Sequence, residues 1–143
     1  MQTVRSLPAM IAITVALTTL VYAQGAQTFK ARLSPVPVDA TNQAATTGVG
    51  AVTAVLTGTK LSISGTFSGL QTPATIAQVH VGPRGISGPP VLDLTVTKAT
   101  SGSLQGDLTL TSAQVEHLRR GRLYIQIHSE KAPDGNLRGW LLP

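Results

Sequence analysis

From Thr28 onward the chain alternates apolar and polar positions. In Thr28-Phe29-Lys30-Ala31-Arg32-Leu33 the residues Phe29, Ala31 and Leu33 share one face, the period of a half-buried strand. Gly48 to Leu56, rich in Val, Ala and Thr, predicts a second strand, and Thr57-Gly58-Thr59-Lys60 a hairpin turn. Leu61 to Phe67 alternates again. Gly69 to Pro73 interrupts the pattern, and Ile76 to Val81 resumes it. The stretch from Gly82 to Pro90 holds three Gly and three Pro and predicts a loop. Further strands are predicted at Val91–Val96, Leu104–Leu110, Leu123–Ser129 and Asn136–Leu142.

One segment departs from the period of two. Thr111 can cap a helix while Gln114, three residues on, bonds back to it, the arrangement of a capping box. Val115 and Leu118 would form its buried stripe, Arg119 and Arg120 suit the negative end of its dipole, and Gly121 supplies the left-handed residue after it. Short strands separated by Gly/Pro turns, with one short helix, predict an all-β domain: a Greek-key sandwich or barrel. Only Ser34–Thr47 has the composition of a linker, so no second domain is predicted.

The chain has 143 residues, room for one domain. Arg5, an apolar run from Leu7 to Leu20 and then Val21-Tyr22-Ala23 read as a signal peptide cut after Ala23, with a second candidate cut after Ala26. The run is shorter than the ~20 residues a bilayer span needs and contains Pro8, so no stable membrane span is expected after cleavage. The predicted organisation is a leader over 1–23 and a β domain over 24–143, secreted or periplasmic. There are no cysteines, which excludes disulfides, thiolate nucleophiles and Cys-ligated metals. The formal net charge is +5, from 11 Lys/Arg against 6 Asp/Glu, with Arg119, Arg120 and Arg122 crowded together. Nucleic-acid binding would call for basic residues interleaved with aromatics. Aromatics make up only 3% of the chain, and nucleic acid is not an expected partner.

Four ordered motifs line up with one family. Ala77-Gln78-Val79-His80-Val81-Gly82-Pro83, followed by Gly88-Pro89-Pro90-Val91, resembles the chordin-type (CHRD) pattern of an Ala-His-Ile-His-like strand, a Gly-Pro loop and an apolar strand. Leu108-Thr109-Leu110-Thr111 with Ala113-Gln114-Val115 resembles that family's strand-to-helix stretch. Gly121 to Ser129 is similar to its Gly-x-Leu-Tyr-Val-x-Val-His-Thr strand, and Pro133 to Gly139 to its Pro-Gly-Gly-Glu-Ile-Arg-Gly ending. The resemblance runs from about Gln27 to the C-terminus. It implies an extracellular β domain, occurring singly in bacterial exported proteins and repeated in chordin, which binds growth factors. Two positions depart from the pattern: Gln78 stands where the family often has a first histidine, and Asn136 where it commonly has an acid. Both changes remove a group able to bind a cation. Within the all-β class the expected form is immunoglobulin-like or Cu,Zn superoxide dismutase-like.

Alternation also says which way the histidines face. Ala77, Val79 and Val81 share the apolar side of one strand, so Gln78 and His80 are on the other. Leu123, Ile125 and Ile127 face the core, so Tyr124, Gln126 and His128 point away from it. Both histidines project from the outside of the sheet, each near its strand's C-terminal end. For the last hairpin, Ala132-Pro133-Asp134-Gly135 suits a type I turn with a bulge. That turn sets Ala132 opposite Asn136, Glu130 opposite Arg138 and His128 opposite Trp140. Arg138 would then pair with Glu130 for about 0.2–1 kcal/mol.

Imidazole is a common ligand for Cu and Zn, so the candidate metal ligands are His80 and His128, with Gln78 the candidate third. A His-x-His strand plus a remote histidine is the copper arrangement of Cu,Zn superoxide dismutases, a fold-level analogy only. His117 is expected on the helix surface. There is no Gly-x-Ser-x-Gly elbow. Asp93, Asp107 and Asp134 do not form a glycosidase pair, and Gly82–Gly88 lacks the ending of a phosphate loop and reads as a crossover between strands. The expected function is therefore a non-enzymatic binding module for a protein or glycan. The alternative is a Cu- or Zn-binding protein.

Overall fold

In the computed structural model, which describes residues 25–143, strands form wherever the period of two was read. Their order is β1 (Gln27–Pro35), β2 (Val49–Thr57), β3 (Lys60–Ser68), β4 (Ala74–Val81), β5 (Pro90–Val96) and β6 (Gly102–Thr109). Then come helix α1 (Ser112–Arg119), β7 (Leu123–Ser129) and β8 (Ala132–Trp140). The predicted leader, 1–23, lies outside the described residues. Neighbouring strands are antiparallel, and the sheet closes on itself in the order β1-β2-β3-β6-β5-β4-β7-β8. Of the two architectures expected, an open sandwich or a barrel, the chain forms the closed barrel. Closure leaves no unpaired edge between β1 and β8.

The inward-facing residues fill the barrel. Phe29, Ala31 and Leu33 of β1 meet Val52, Ala54 and Leu56 of β2 and Leu61, Ile63 and Phe67 of β3. Val79, Leu104, Ile125, Ile127, Leu137 and Leu141 belong to the same cluster, each at most 1% exposed. Strand β5 is less deeply buried, and its Leu92, Leu94 and Val96 pack on the edge of the core. Helix α1 lies between β6 and β7 and contributes Val115 and Leu118. Its capping box forms as expected: Gln114 N donates to Thr111 Oγ1 (3.2 Å) and Thr111 N to Gln114 Oε1 (2.9 Å). Gly121 takes φ +67° just past the helix end, as a left-handed C-terminal residue should. Among the described residues no helix is long and apolar enough to cross a membrane.

The β1–β8 seam depends on Gly139. A β-carbon there would lie 2.3 Å from Arg32 O, so any side chain would hold the two strands apart. Lys30 and Leu142 exchange main-chain hydrogen bonds of 2.7 and 2.9 Å across one end of the seam, and Ser34 lies opposite Arg138 at the other.

The last hairpin differs from the expected one. The turn is at Glu130-Lys131, with Ser129 opposite Ala132, and the register resumes at Ile127 opposite Leu137. His128 alone therefore faces the four residues Pro133–Asn136, a long bulge in β8. Gln126 rather than Glu130 lies opposite Arg138, and Tyr124 rather than His128 lies opposite Trp140. The expected Glu130–Arg138 ion pair is absent; among the described residues the ion pair formed is Arg120–Glu116, at 2.8 Å. Side chains hold the bulge out of register. Ser129 Oγ donates to Asn136 Oδ1 (2.8 Å), and Asn136 Nδ2 donates to Thr47 O (2.8 Å). The Gly82–Pro89 segment is also not a crossover: it joins β4 to β5, which are paired neighbours.

Candidate functional site

The outer faces of β4, β7 and β8 gather His80, Tyr124, Gln126, His128, Arg138 and Trp140. The strand period sends them outward, as expected, but outward does not mean exposed. His80 is 5%, Tyr124 1%, Gln126 6% and His128 8% exposed. The Gly82–Pro89 loop and the Pro133–Asn136 bulge bring main-chain partners to this face of the barrel.

Four rings run across the three strands. Trp140 and Tyr124 lie 4.7 Å apart, Tyr124 and His80 5.0 Å, and His80 and His128 6.1 Å, by ring centroids. The last distance is not what the register alone implies. His80 lies across from Tyr124, and His128 across from Ile76, four residues further along β7. That offset is about 13 Å of strand. The two imidazoles close it by leaning toward each other over Gln126, with ring planes 26° apart.

Hydrogen bonds define each ring's tautomer. His80 Nδ1 is 2.8 Å from Gly88 O, and His128 Nδ1 is 2.7 Å from Pro133 O. A carbonyl can only accept, so both Nδ1 atoms carry the proton in the neutral ring and both Nε2 atoms present a lone pair. The amide of Gln126 donates to His128 Nε2 (3.3 Å) and to Asp134 O (3.3 Å). His80 Nε2 is buried with no partner. An unmet buried polar atom costs on the order of 1–3 kcal/mol. Burial, assisted by the neighbouring His128, pushes the His80 pKa below its ordinary value against the opposing pull of Gly88 O.

The same side chains fasten the loop. Tyr124 Oη donates to Gly88 O (3.0 Å) and accepts from Gly88 N (2.9 Å). Trp140 Nε1 donates to Gly82 O (3.0 Å), and Arg138 Nη1 to Ser87 Oγ (2.8 Å). Gly88 cannot be replaced in this arrangement, since a β-carbon would fall 1.7 Å from Val81 O. The loop tip remains outside: Arg84 is exposed and Ile86 is 60% exposed.

The sequence-predicted ligands thus divide. His80 and His128 are brought together. Gln78 is turned the other way: its amide donates to Asp93 Oδ1 on β5 (2.9 Å), on the far side of β4 from His128. Among the described residues no three His, Cys, Asp or Glu side chains come together as a metal-ligating group. The alternation places Tyr124 on the outward face with His128, and the expected hairpin sets Trp140 opposite His128. The structure instead pairs Trp140 with Tyr124 and stacks Tyr124 on His80, a contact between β4 and β7 that local pattern does not give.

A closed antiparallel barrel with a loop pinned over an outward aromatic–imidazole row defines the class of protein. The chain belongs to the CHRD domain family, whose CHRD domain pattern matches residues 29–141. No curated protein and no solved structure matches it.

Proposed function

We propose that this domain is a non-enzymatic binding module that presents the Gly82–Pro89 loop and its surroundings to a partner. One observation carries the reading. His80, Tyr124, Arg138 and Trp140, drawn from three strands, each bond to the loop, so its exposed tip is held in one shape before any partner arrives. Such preorganisation lowers the entropy lost on binding. Membership of the CHRD family supports the reading too. We place the module outside the cytoplasm, secreted or periplasmic, on the leader-like run before Ala23. We further infer a Greek-key, Cu,Zn superoxide dismutase-like barrel rather than an immunoglobulin-like one. Its support is the placing of β3 beside β6, with the β4-β5-β6 meander returning to it. The test is a binding screen of the purified domain against exported proteins and glycans. A saturable ligand of the wild type should be lost in an Arg84→Ala/Ile86→Ala variant that melts at the wild-type temperature. If every ligand binds the variant unchanged, the loop is not the recognition surface.

A second reading rests on the unpartnered His80 Nε2. Its ring and that of His128 both donate through Nδ1 to main-chain carbonyls, the outer-shell arrangement that orients metal-ligating imidazoles. The two Nε2 atoms would hold a Cu or Zn ion once the Gln126 amide turns away from His128 Nε2, with the ring centroids 6.1 Å apart. Two imidazoles leave half of a tetrahedral zinc sphere to other donors, so the expected affinity is modest. Isothermal titration with Cu²⁺ and Zn²⁺ should show one saturable site, absent in His80→Ala/His128→Ala. Equal heats for both proteins would reject it.

A further inference from the structure

Beside the pinned loop, the β1–β8 seam opens outward into a groove of about 450 Å³. Its lining carries four cations and no acid: Lys30 and Arg32 from β1, Arg84 from the loop and Arg138 from β8. Among the described residues none of the four has a carboxylate within ion-pair distance, and residues 1–24 contain no Asp or Glu to supply one. All six acids of the chain lie outside the groove lining. Four cations of one sign around a concavity focus a positive potential there.

The cations are spread along the seam rather than converging on a point. Lys30 and Arg32 stand two residues apart on one face of β1. Arg138 lies across from Ser34, four residues beyond Lys30, and so roughly 13 Å away along the strand. One phosphate or sulfate cannot reach both ends; a chain with repeated anionic groups can. Arg138 is the best prepared of the four. Its guanidinium sits 5.1 Å from the Trp140 ring centroid and donates to Ser87 Oγ. The fork is thereby held at a fixed angle, the geometry that suits bidentate pairing with a carboxylate or sulfate. The same contact argues against single-stranded nucleic acid, which needs free aromatic faces for its bases. The only aromatic lining the groove is Trp140, and it lies between Arg138 and Tyr124.

We propose that the β1–β8 groove binds an acidic polysaccharide, its carboxylate or sulfate groups spaced along Lys30, Arg32, Arg84 and Arg138. This rests on the binding-module reading and supplies the chemical class of the partner. The experiment uses the purified protein and measures binding by titration calorimetry at physiological salt. The probes are a polyuronate oligosaccharide, a heparin oligosaccharide, poly-glutamate, a single-stranded oligodeoxynucleotide and neutral dextran. Saturable binding of either acidic oligosaccharide is expected, stronger than that of the other three probes and weakening as salt rises. Lys30→Ala/Arg32→Ala should weaken it about a hundredfold, roughly tenfold per cation. Lys98→Ala/Lys131→Ala, which removes the same charge away from the groove, should leave it unchanged. Arg138→Lys should weaken it severalfold although the charge is kept. Whether polyuronate or heparin binds better separates carboxylate from sulfate recognition. Failure of both oligosaccharides, equal loss in the two double variants, or tighter binding of poly-glutamate or the oligodeoxynucleotide overturns the inference. A neutral ligand that binds saturably and is lost in Arg84→Ala/Ile86→Ala would overturn it too, while leaving the binding module standing.

Discussion

His80 has two unlike nitrogens, and its behaviour follows from the difference. Nδ1 is bonded to Gly88 O, while Nε2 is buried without a partner. Protonation would put a second N–H into a place with nothing to accept it, which is why burial lowers the pKa below the ordinary 6.5. The sign for stability follows. The unfolded chain takes up a proton near pH 6.5 while the folded chain resists until lower pH, so acid favours unfolding. Metal-free protein, treated with chelator, should therefore be most stable above about pH 6.5. It should lose stability as the pH falls from there toward the depressed value. Urea denaturation midpoints measured from pH 8 to 5 should fall less steeply for His80→Gln than for the wild type. Parallel profiles would show that His80 is not the group responsible. The outward direction of this residue was legible from the alternation of Ala77, Val79 and Val81. Its burial was not, because the Gly82–Pro89 loop covers it only when folded back and pinned by Tyr124 of β7.

The β7–β8 hairpin departs from what its local sequence favours. Pro133-Asp134-Gly135 has good turn chemistry, and a turn was predicted there. The chain instead turns at Glu130-Lys131 and spends Pro133–Asn136 as a bulge. The slip between the predicted and observed registers is four residues. A shift by an even number leaves every side chain on its own face, so Ile127, Leu137 and Leu141 were assigned to the core correctly in the wrong register. What selects the observed register is Asn136. It is fully buried, accepts from Ser129 Oγ and donates to Thr47 O, tying the bulge to the loop before β2. Its standing where the family commonly has an acid has a structural reason, since a carboxylate has no N–H for Thr47 O. Asn136→Asp is expected to cost about 1–3 kcal/mol in denaturant unfolding, the penalty for a buried acceptor left unmet. An unchanged midpoint would mean that water or a shifted loop fills the gap.

The barrel as a unit closes where β1 meets β8, strands that come from the two ends of the described chain. Gly139 permits their approach. Gly139→Ala should push them apart, at a cost of roughly 1–3 kcal/mol or more, as in other overpacked sites. The amide protons of Lys30 and Leu142, which bond across the seam, should exchange faster than in the wild type. Unaltered protection of both would show that the seam relaxes around a methyl group. The cationic groove lies on this seam, so its cations are aligned only while the barrel is closed. The crowded Arg119, Arg120 and Arg122 do not line it.

The period of two, the Gly/Pro turns and the Thr111–Gln114 box were enough to name the strands, the short helix, the core side and the outward side. Each of these depends on residues within a few positions of one another. Strand order, the choice of barrel over sandwich, the hairpin register and the partners of Arg138 depend on which distant segments pair. Such pairing is decided by the fit of whole surfaces, which local alternation does not encode. The candidate site divides along the same line. His80 and His128 were marked by their residue type and parity. The lean that brings their rings to 6.1 Å, the lid of main chain over them and the gathering of four cations arise only when β1, β4, β7 and β8 lie side by side.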